Sequence, residues 1–80
     1  MDFIFPFDCI KDLKAFMEDV RKCEHEVYFE SAEGDKLALR SNLCQFILYS
    51  ICDQPQLTKN AVIHGVGEHD RQILCPHFKE

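Results

Sequence analysis

The sequence predicts an α+β domain, in which an antiparallel sheet carries helices on one face. Short runs of alternating apolar and polar residues are typical of strands, and two longer stretches between them have apolar residues at helical spacing. Gly34 lies between two of the alternating runs, as in a hairpin. The predicted order is β-α-β-β-α-β with a short C-terminal helix. A two-layer sandwich over residues 1–80 would bury every apolar stripe in one core.

The N-terminal segment predicts a strand followed by a helix. Residues 2–7 alternate around three phenylalanines, and Pro6 places this strand at a sheet edge or near its end, because proline lacks an N–H donor. A helix is predicted to open at Asp8 or Cys9, with Asp8 as its N-cap. Its apolar face carries five residues: Ile10, Leu13, Phe16, Met17 and Val20.

The central segment predicts a hairpin and a second helix. Residues 25–31 and 36–39 alternate, and the turn at Gly34 joins them. From Ser41 the spacing becomes helical, and the helix should end before Pro55. Its predicted core face carries four residues: Leu43, Phe46, Ile47 and Ile51.

The C-terminal segment predicts one more strand and a short helix. The strand falls within residues 56–66, around Ala61 and Ile63. The helix could start at Asp70, and it must stop or kink near Pro76.

Composition and charge exclude several classes of function. The net charge is −5, whereas nucleic-acid binding requires clustered Lys and Arg, so the seven Phe are not expected to form a stacking platform for nucleic acid. The first residues do not make a signal peptide, and no segment approaches a membrane span. The five cysteines lack a Cys-x-x-Cys spacing, which favours a reducing cytoplasm over a disulfide framework.

The best candidate for a functional side chain is Ser41, at the predicted start of the second helix. A serine in this position caps a free backbone N–H group. The same N–H groups and the positive end of the helix dipole would stabilise a phosphate on the hydroxyl. The local pattern therefore allows both a plain cap and a phosphorylation site.

The element order and the segment Arg40-Ser41-Asn42-Leu43 resemble the HPr phosphocarrier family. Helix two of that family begins with Lys-Ser-Leu or Lys-Ser-Ile, and Arg40, Ser41 and Leu43 stand in the same frame with one residue of slippage. Residues 9–23 are similar to helix one of divergent HPr-like proteins of anaerobic Firmicutes. The resemblance covers nearly the whole chain.

The resemblance implies a link to the sugar phosphotransferase system, in which a histidine at the start of helix one takes phosphate from enzyme I. Residues 7–12 contain no histidine, so the chain is expected to be a divergent member that no longer carries phosphate in this way. The family's second site is a regulatory serine that HPr kinase phosphorylates, and it maps onto Ser41. Phosphorylation adds about −1.5 to −2 charges and can create or destroy a docking surface.

Other candidate sites are weaker. Arg40, Asn42, Cys9 and Lys11 are candidate contacts for a phosphate or a partner, and Cys9 could be reactive if it lies at a helix N-terminus near Lys11. A partly buried, inert Cys9 is the ordinary alternative. A metal site is not expected, because the C-terminal metal-capable side chains lack zinc-type spacing; they are His64, His69, Cys75 and His77.

The sequence therefore predicts a regulatory or protein-binding domain with no enzymatic activity, cofactor or metal. The expected partner is a protein, such as a component of the phosphotransferase system, HPr kinase or a transcription regulator. Two alternatives stay open. The chain could be a phosphocarrier that uses Cys9, or a structural or oligomer-forming domain without phosphate chemistry, and the oligomeric state is not predicted.

Overall fold

Four strands and four helices make up the computed structural model, which describes residues 2–79. Two short 3-10 turns are also present, at Phe7–Cys9 between the first strand and the first helix and at Cys75–His77 after the last helix. The elements are β1 (Asp2–Pro6), α1 (Leu13–Val20), β2 (Tyr28–Glu30), β3 (Lys36–Ala38), α2 (Asn42–Ile51), α3 (Pro55–Thr58), β4 (Val62–Val66) and α4 (Glu68–Leu74).

The strands form one antiparallel sheet in the order β1-β4-β2-β3. Ile4, His64 and Tyr28 lie side by side across β1, β4 and β2. The predicted turn at Gly34 is present, with a φ of 97° that favours glycine. The predictions of an α+β domain and an antiparallel sheet are therefore confirmed.

The core lies between one face of the sheet and the helices. Side chains of alternating strand positions point into it, as a period of two requires. They are buried together with residues of three helices: Phe3, Phe29 and Ile63 from the strands, and Phe16, Met17, Val20, Leu48 and Leu74 from the helices. The opposite face of the sheet is more open, and Ile4 on it is exposed.

The first helix begins later than predicted. Asp12, not Asp8, is its N-cap, and its carboxylate accepts a hydrogen bond of 3.2 Å from the Ala15 N–H. Phe7–Cys9 forms a 3-10 turn instead, and Ile10 makes a β-bridge with Phe78. The bridge takes the backbone of residue 10 out of the helix, so the expected position of Cys9 at a helix N-terminus is wrong.

Other boundaries also differ from the prediction. The second strand covers Tyr28–Glu30 only, and the fourth begins at Val62, because Pro55–Thr58 forms the short helix α3 with proline in its first turn. The last helix starts at Glu68, after Gly67 with a φ of 88°. Within residues 2–79, no helix has the length and apolar character needed to cross a bilayer.

The largest difference concerns the face of α2 that is buried. The predicted core positions Leu43, Phe46 and Ile47 are exposed, whereas Gln45 and Leu48 are buried. The Gln45 amide donates hydrogen bonds of 2.7 Å to the Leu39 carbonyl and 3.2 Å to the Met17 carbonyl. Because an unsatisfied buried carbonyl costs about 1–3 kcal/mol, these bonds favour the observed rotation of α2.

Candidate protein-binding and phosphorylation site on α2

Ser41 is the N-cap of α2, as the sequence predicts. Its hydroxyl accepts a hydrogen bond of 3.4 Å from the Cys44 N–H, and the Gln45 N–H donates to its carbonyl at 3.0 Å. Ser41 is exposed, so the hydroxyl is accessible to another protein while it caps the helix. A phosphate attached there would lie beside the free N–H groups of the first turn of α2.

The residues on either side of Ser41 are also exposed. The backbone N–H of Arg40 donates to the Glu26 carboxylate at 3.1 Å, and the same oxygen accepts from the Val27 N–H at 3.3 Å. These bonds hold the turn between β3 and α2. Asn42 is the first residue of α2, and its exposed side chain lies next to Ser41 in the chain.

The α2 surface consists of Leu43, Phe46 and Ile47, which are exposed by 67%, 68% and 37%. Positions three and four apart share one face of a helix, so these side chains form a continuous apolar patch. It begins two residues after Ser41. Large apolar side chains that are exposed together often mark a protein-binding site.

A groove of about 350 Å³ lies beside the α2 surface, between α1 and α2. Tyr49 of α2 and Glu18 of α1 both line it. Burial, followed by the negative charges of Glu18 and Asp12, raises the pKa of Tyr49 above its usual value of 10.0, so its hydroxyl is neutral at physiological pH. The sequence analysis did not anticipate this groove, because it placed Leu43, Phe46 and Ile47 in the core.

The other two predicted contacts, Cys9 and Lys11, pair with the C-terminal segment. The Lys79 N–H donates to the Cys9 carbonyl at 2.7 Å, and the Lys11 N–H donates to the His77 carbonyl at 2.8 Å. Cys9 is partly buried and Lys11 is exposed. The structure thus joins Arg40, Ser41 and Asn42 with the α2 surface, and it places Cys9 and Lys11 with residues 77–79.

The three histidines among the metal-capable side chains of the C-terminal region pair with carboxylates at separate places, and Cys75 is a free, exposed cysteine. His77 Nε2 lies 2.6 Å from an Asp19 carboxylate oxygen, and His64 Nδ1 lies 2.8 Å from one of Glu30. His69 lies 3.5 Å from the Asp70 carboxylate. In the part of the chain that the structure describes, no three His, Cys, Asp or Glu side chains are grouped as metal ligands.

His64 occupies the middle of the open sheet face. The hydrogen bond with Glu30 is the main cause that raises the pKa of His64 above 6.5, and Asp2, 3.5 Å from the other ring nitrogen, adds to it. A raised pKa means that the folded state binds the proton more tightly than the unfolded state does. The interaction therefore stabilises the fold below pH 6.5, and this stabilisation is lost as the pH rises through the folded-state value.

We expect a His64→Gln variant to show this pH dependence directly. The loss of unfolding free energy relative to wild type should be larger at about pH 5 than at about pH 9, because only protonated histidine forms an ion pair with Glu30. Urea unfolding, monitored by circular dichroism at both pH values, measures this loss. A difference between wild type and variant that does not change with pH would contradict the ion pair.

The sequence analysis missed two buried polar residues that organise the fold around the site. Gln45 connects α2 with α1 and with Leu39, the residue after β3, and its amide oxygen also accepts a bond of 3.2 Å from Arg21. Asp70 is fully buried and joins α4 to the loop after α1. The signal for Gln45 was its position on the helical face opposite Leu43 and Ile47, each two residues away. For Asp70 there was no signal, since its partners are backbone N–H groups.

Comparison with protein-family models, curated proteins and solved structures finds no match to this chain. The resemblance to HPr proteins therefore stays a prediction from the residues and the order of elements.

Proposed function

We propose that this chain is an HPr-like regulatory domain of the cytoplasm that binds another protein through the α2 surface and is switched by phosphorylation of Ser41. One observation carries the proposal. The exposed hydroxyl of Ser41 lies at the end of an exposed apolar patch formed by Leu43, Phe46 and Ile47. A charge added to Ser41 would therefore act on the edge of the binding surface.

The α2 surface has the chemistry of an interface centre. Protein interfaces are enriched in large apolar and aromatic side chains at their core and depleted of charge there. Asn42–Ile51 contains no charged residue, and Phe46 offers an aromatic anchor. In many interfaces a few such anchors supply most of the binding free energy.

Phosphorylation would change this surface without changing the fold. The N-terminal N–H groups of α2 and its dipole stabilise negative charge, so the helix would tolerate the phosphate. The phosphate would place about −1.5 to −2 charges beside the apolar patch, where desolvation opposes binding of an apolar partner. A partner that presents arginine would instead gain a charge-assisted contact.

The order of elements agrees with the HPr-like part of the proposal. The described chain runs β-α-β-β-α-β-α when the four-residue helix α3 is set aside. Residues 7–12 contain no histidine that could carry phosphate. Cys9 gives less support to a carrier, because it lies in a 3-10 turn and is partly buried.

The test is phosphorylation by HPr kinase with ATP, followed by intact mass measurement. We expect the wild type to gain one phosphoryl group and Ser41→Ala to gain none. Ser50→Ala is the matched control, because Ser50 is exposed on the same helix and its hydroxyl donates to the Phe46 carbonyl at 3.1 Å. It should be phosphorylated like wild type.

Incubation with enzyme I and phosphoenolpyruvate separates the remaining alternatives. A phosphoryl gain there, lost in Cys9→Ser, would replace our proposal with a cysteine phosphocarrier. No gain with either enzyme would remove the switch at Ser41 and leave a binding or oligomer-forming domain.

A further inference from the structure

A groove of about 810 Å³ lies on a different part of the molecule from the α2 surface. Its walls come from β1, from the segment before α1 and from the C-terminal part of the chain. Residues of all three contribute to it: Phe5, Lys11, Arg71, Pro76, Phe78 and Lys79. The volume falls within the range of about 300–1,000 Å³ that is typical of small-molecule sites.

Backbone pairing holds the walls of this groove together. Ile10 and Phe78 form an antiparallel β-bridge. The Lys11 N–H donates to the His77 carbonyl at 2.8 Å, and the Lys79 N–H donates to the Cys9 carbonyl at 2.7 Å. These bonds keep Lys11 and Lys79 on neighbouring chain segments, so both ammonium groups can reach the same ligand.

The floor of the groove is aromatic. The rings of Phe5 and Phe78 are stacked, with centroids 4.4 Å apart and an angle of 20° between their planes. Phe78 also meets Phe16 edge to face, with centroids 5.5 Å apart, which anchors the floor in the core. Phe78 is buried, with 7% of its surface exposed, whereas Phe5 is partly exposed. A planar apolar group could therefore bind against the exposed part of Phe5, which Phe78 holds in place, with little reorganisation of the protein.

The rim of the groove is positively charged on a chain whose net charge is −5. Among residues 2–79, its lining includes Lys11, Arg71 and Lys79 but no carboxylate. Arg71 lies 3.4 Å from the Glu68 carboxylate, so part of its charge is already paired. Lys11 and Lys79 are exposed, and they supply the main attraction for an anion.

We propose that this groove binds a small organic anion that carries an aromatic ring, with the ring against Phe5 and the anionic group between Lys11 and Lys79. The shared chemistry is a phosphate monoester or a carboxylate on a planar apolar body. This site is independent of Ser41 and of the α2 surface. The result of the binding test therefore neither supports nor contradicts the proposed function.

The test is a titration of ¹⁵N-labelled protein with phenyl phosphate, benzoate and the neutral benzyl alcohol, followed by amide chemical shifts. We expect saturable shifts at Lys11, Phe78 and Lys79 with one or both anions, and a dissociation constant of about 1 mM or lower. Tighter binding of phenyl phosphate assigns the site to phosphate monoesters, and tighter binding of benzoate assigns it to carboxylates.

Matched charge variants test the role of the rim. We expect Lys11→Gln/Lys79→Gln to weaken anion binding by about tenfold or more, because it removes two charge-assisted contacts. Lys14→Gln/Lys59→Gln changes the net charge equally at exposed positions outside the groove, and it should bind like wild type. The proposal would be overturned if benzyl alcohol bound as tightly as the anions, or if both double variants bound the anions equally well. Amide chemical-shift changes centred on α2 would overturn it too.

Discussion

HPr kinase is expected to phosphorylate a Leu43→Gln/Phe46→Gln variant with a kcat/KM about tenfold or more below that of wild type. These side chains are exposed by 67% and 68%, so the double variant removes the centre of the proposed docking surface and leaves Ser41 in place. Loss of one or two interface anchors commonly reduces the binding free energy by about 1–2 kcal/mol or more. A change of about 1.4 kcal/mol corresponds to a tenfold change in affinity. Initial rates of phosphoryl incorporation measure the effect.

The fold of this double variant should be unchanged. Substitutions at exposed positions usually alter the free energy of unfolding by about 0.5 kcal/mol or less, and glutamine has at least the helix propensity of phenylalanine. Ile4→Gln is the matched control, because Ile4 is 60% exposed but lies on β1. Similar kcat/KM values for wild type, the double variant and the control would contradict docking through the α2 surface.

Sedimentation of the same proteins tests whether α2 contacts a second copy instead. If wild type sediments as an oligomer and Leu43→Gln/Phe46→Gln as a monomer, the α2 surface is a contact between copies of this chain. That outcome would favour the oligomer-forming alternative over binding of a different protein.

Replacement of Asp70 by alanine is expected to lower the free energy of unfolding by about 3–4 kcal/mol. The Asp70 carboxylate is fully buried and accepts hydrogen bonds of 2.8 Å from the Glu24 N–H and 2.9 Å from the His25 N–H. Alanine would leave both N–H groups without this acceptor. Since small domains are stable by only about 5–15 kcal/mol, urea unfolding should detect the loss easily.

The matched control for Asp70 is Glu68→Ala in the same turn of α4. Glu68 is exposed and its contact with Arg71 is 3.4 Å long, so its removal should cost about 0.5 kcal/mol or less. A cost for Asp70→Ala as small as that for Glu68→Ala would show that Asp70 does not hold α4 to the loop after α1.

The contribution of Asp70 should also depend on pH. Burial opposes its ionisation, but the N–H donors of Glu24 and His25, together with the side chains of His69 and His25, outweigh burial and lower the pKa of Asp70 below 3.8. The carboxylate therefore stabilises the fold above pH 3.8, and this stabilisation is lost as the pH falls through the folded-state value. The difference in the free energy of unfolding between wild type and Asp70→Asn should therefore become smaller as the pH falls below 3.8. A constant difference down to about pH 2 would contradict the lowered pKa.

Local signals predicted much of the fold and the start of the candidate site. Alternation and helical spacing located the four strands and the helices α1 and α2, because these periods arise from the backbone geometry of each element. The preference of serine for N-caps located Ser41 at the start of α2. The start of α1 was misplaced because the Ile10–Phe78 bridge joins residues far apart in sequence.

The sequence by itself determined the class of fold, the turn at Gly34 and the place of Ser41, since each depends on neighbouring residues and their periodicity. Only the tertiary structure decided which side of α2 is buried. Leu43, Phe46 and Ile47 form the more apolar stripe, but Gln45 satisfies carbonyl groups of Met17 and Leu39 that belong to distant segments. Helical spacing shows which residues share a face, whereas hydrogen bonds between elements decide which face meets the core.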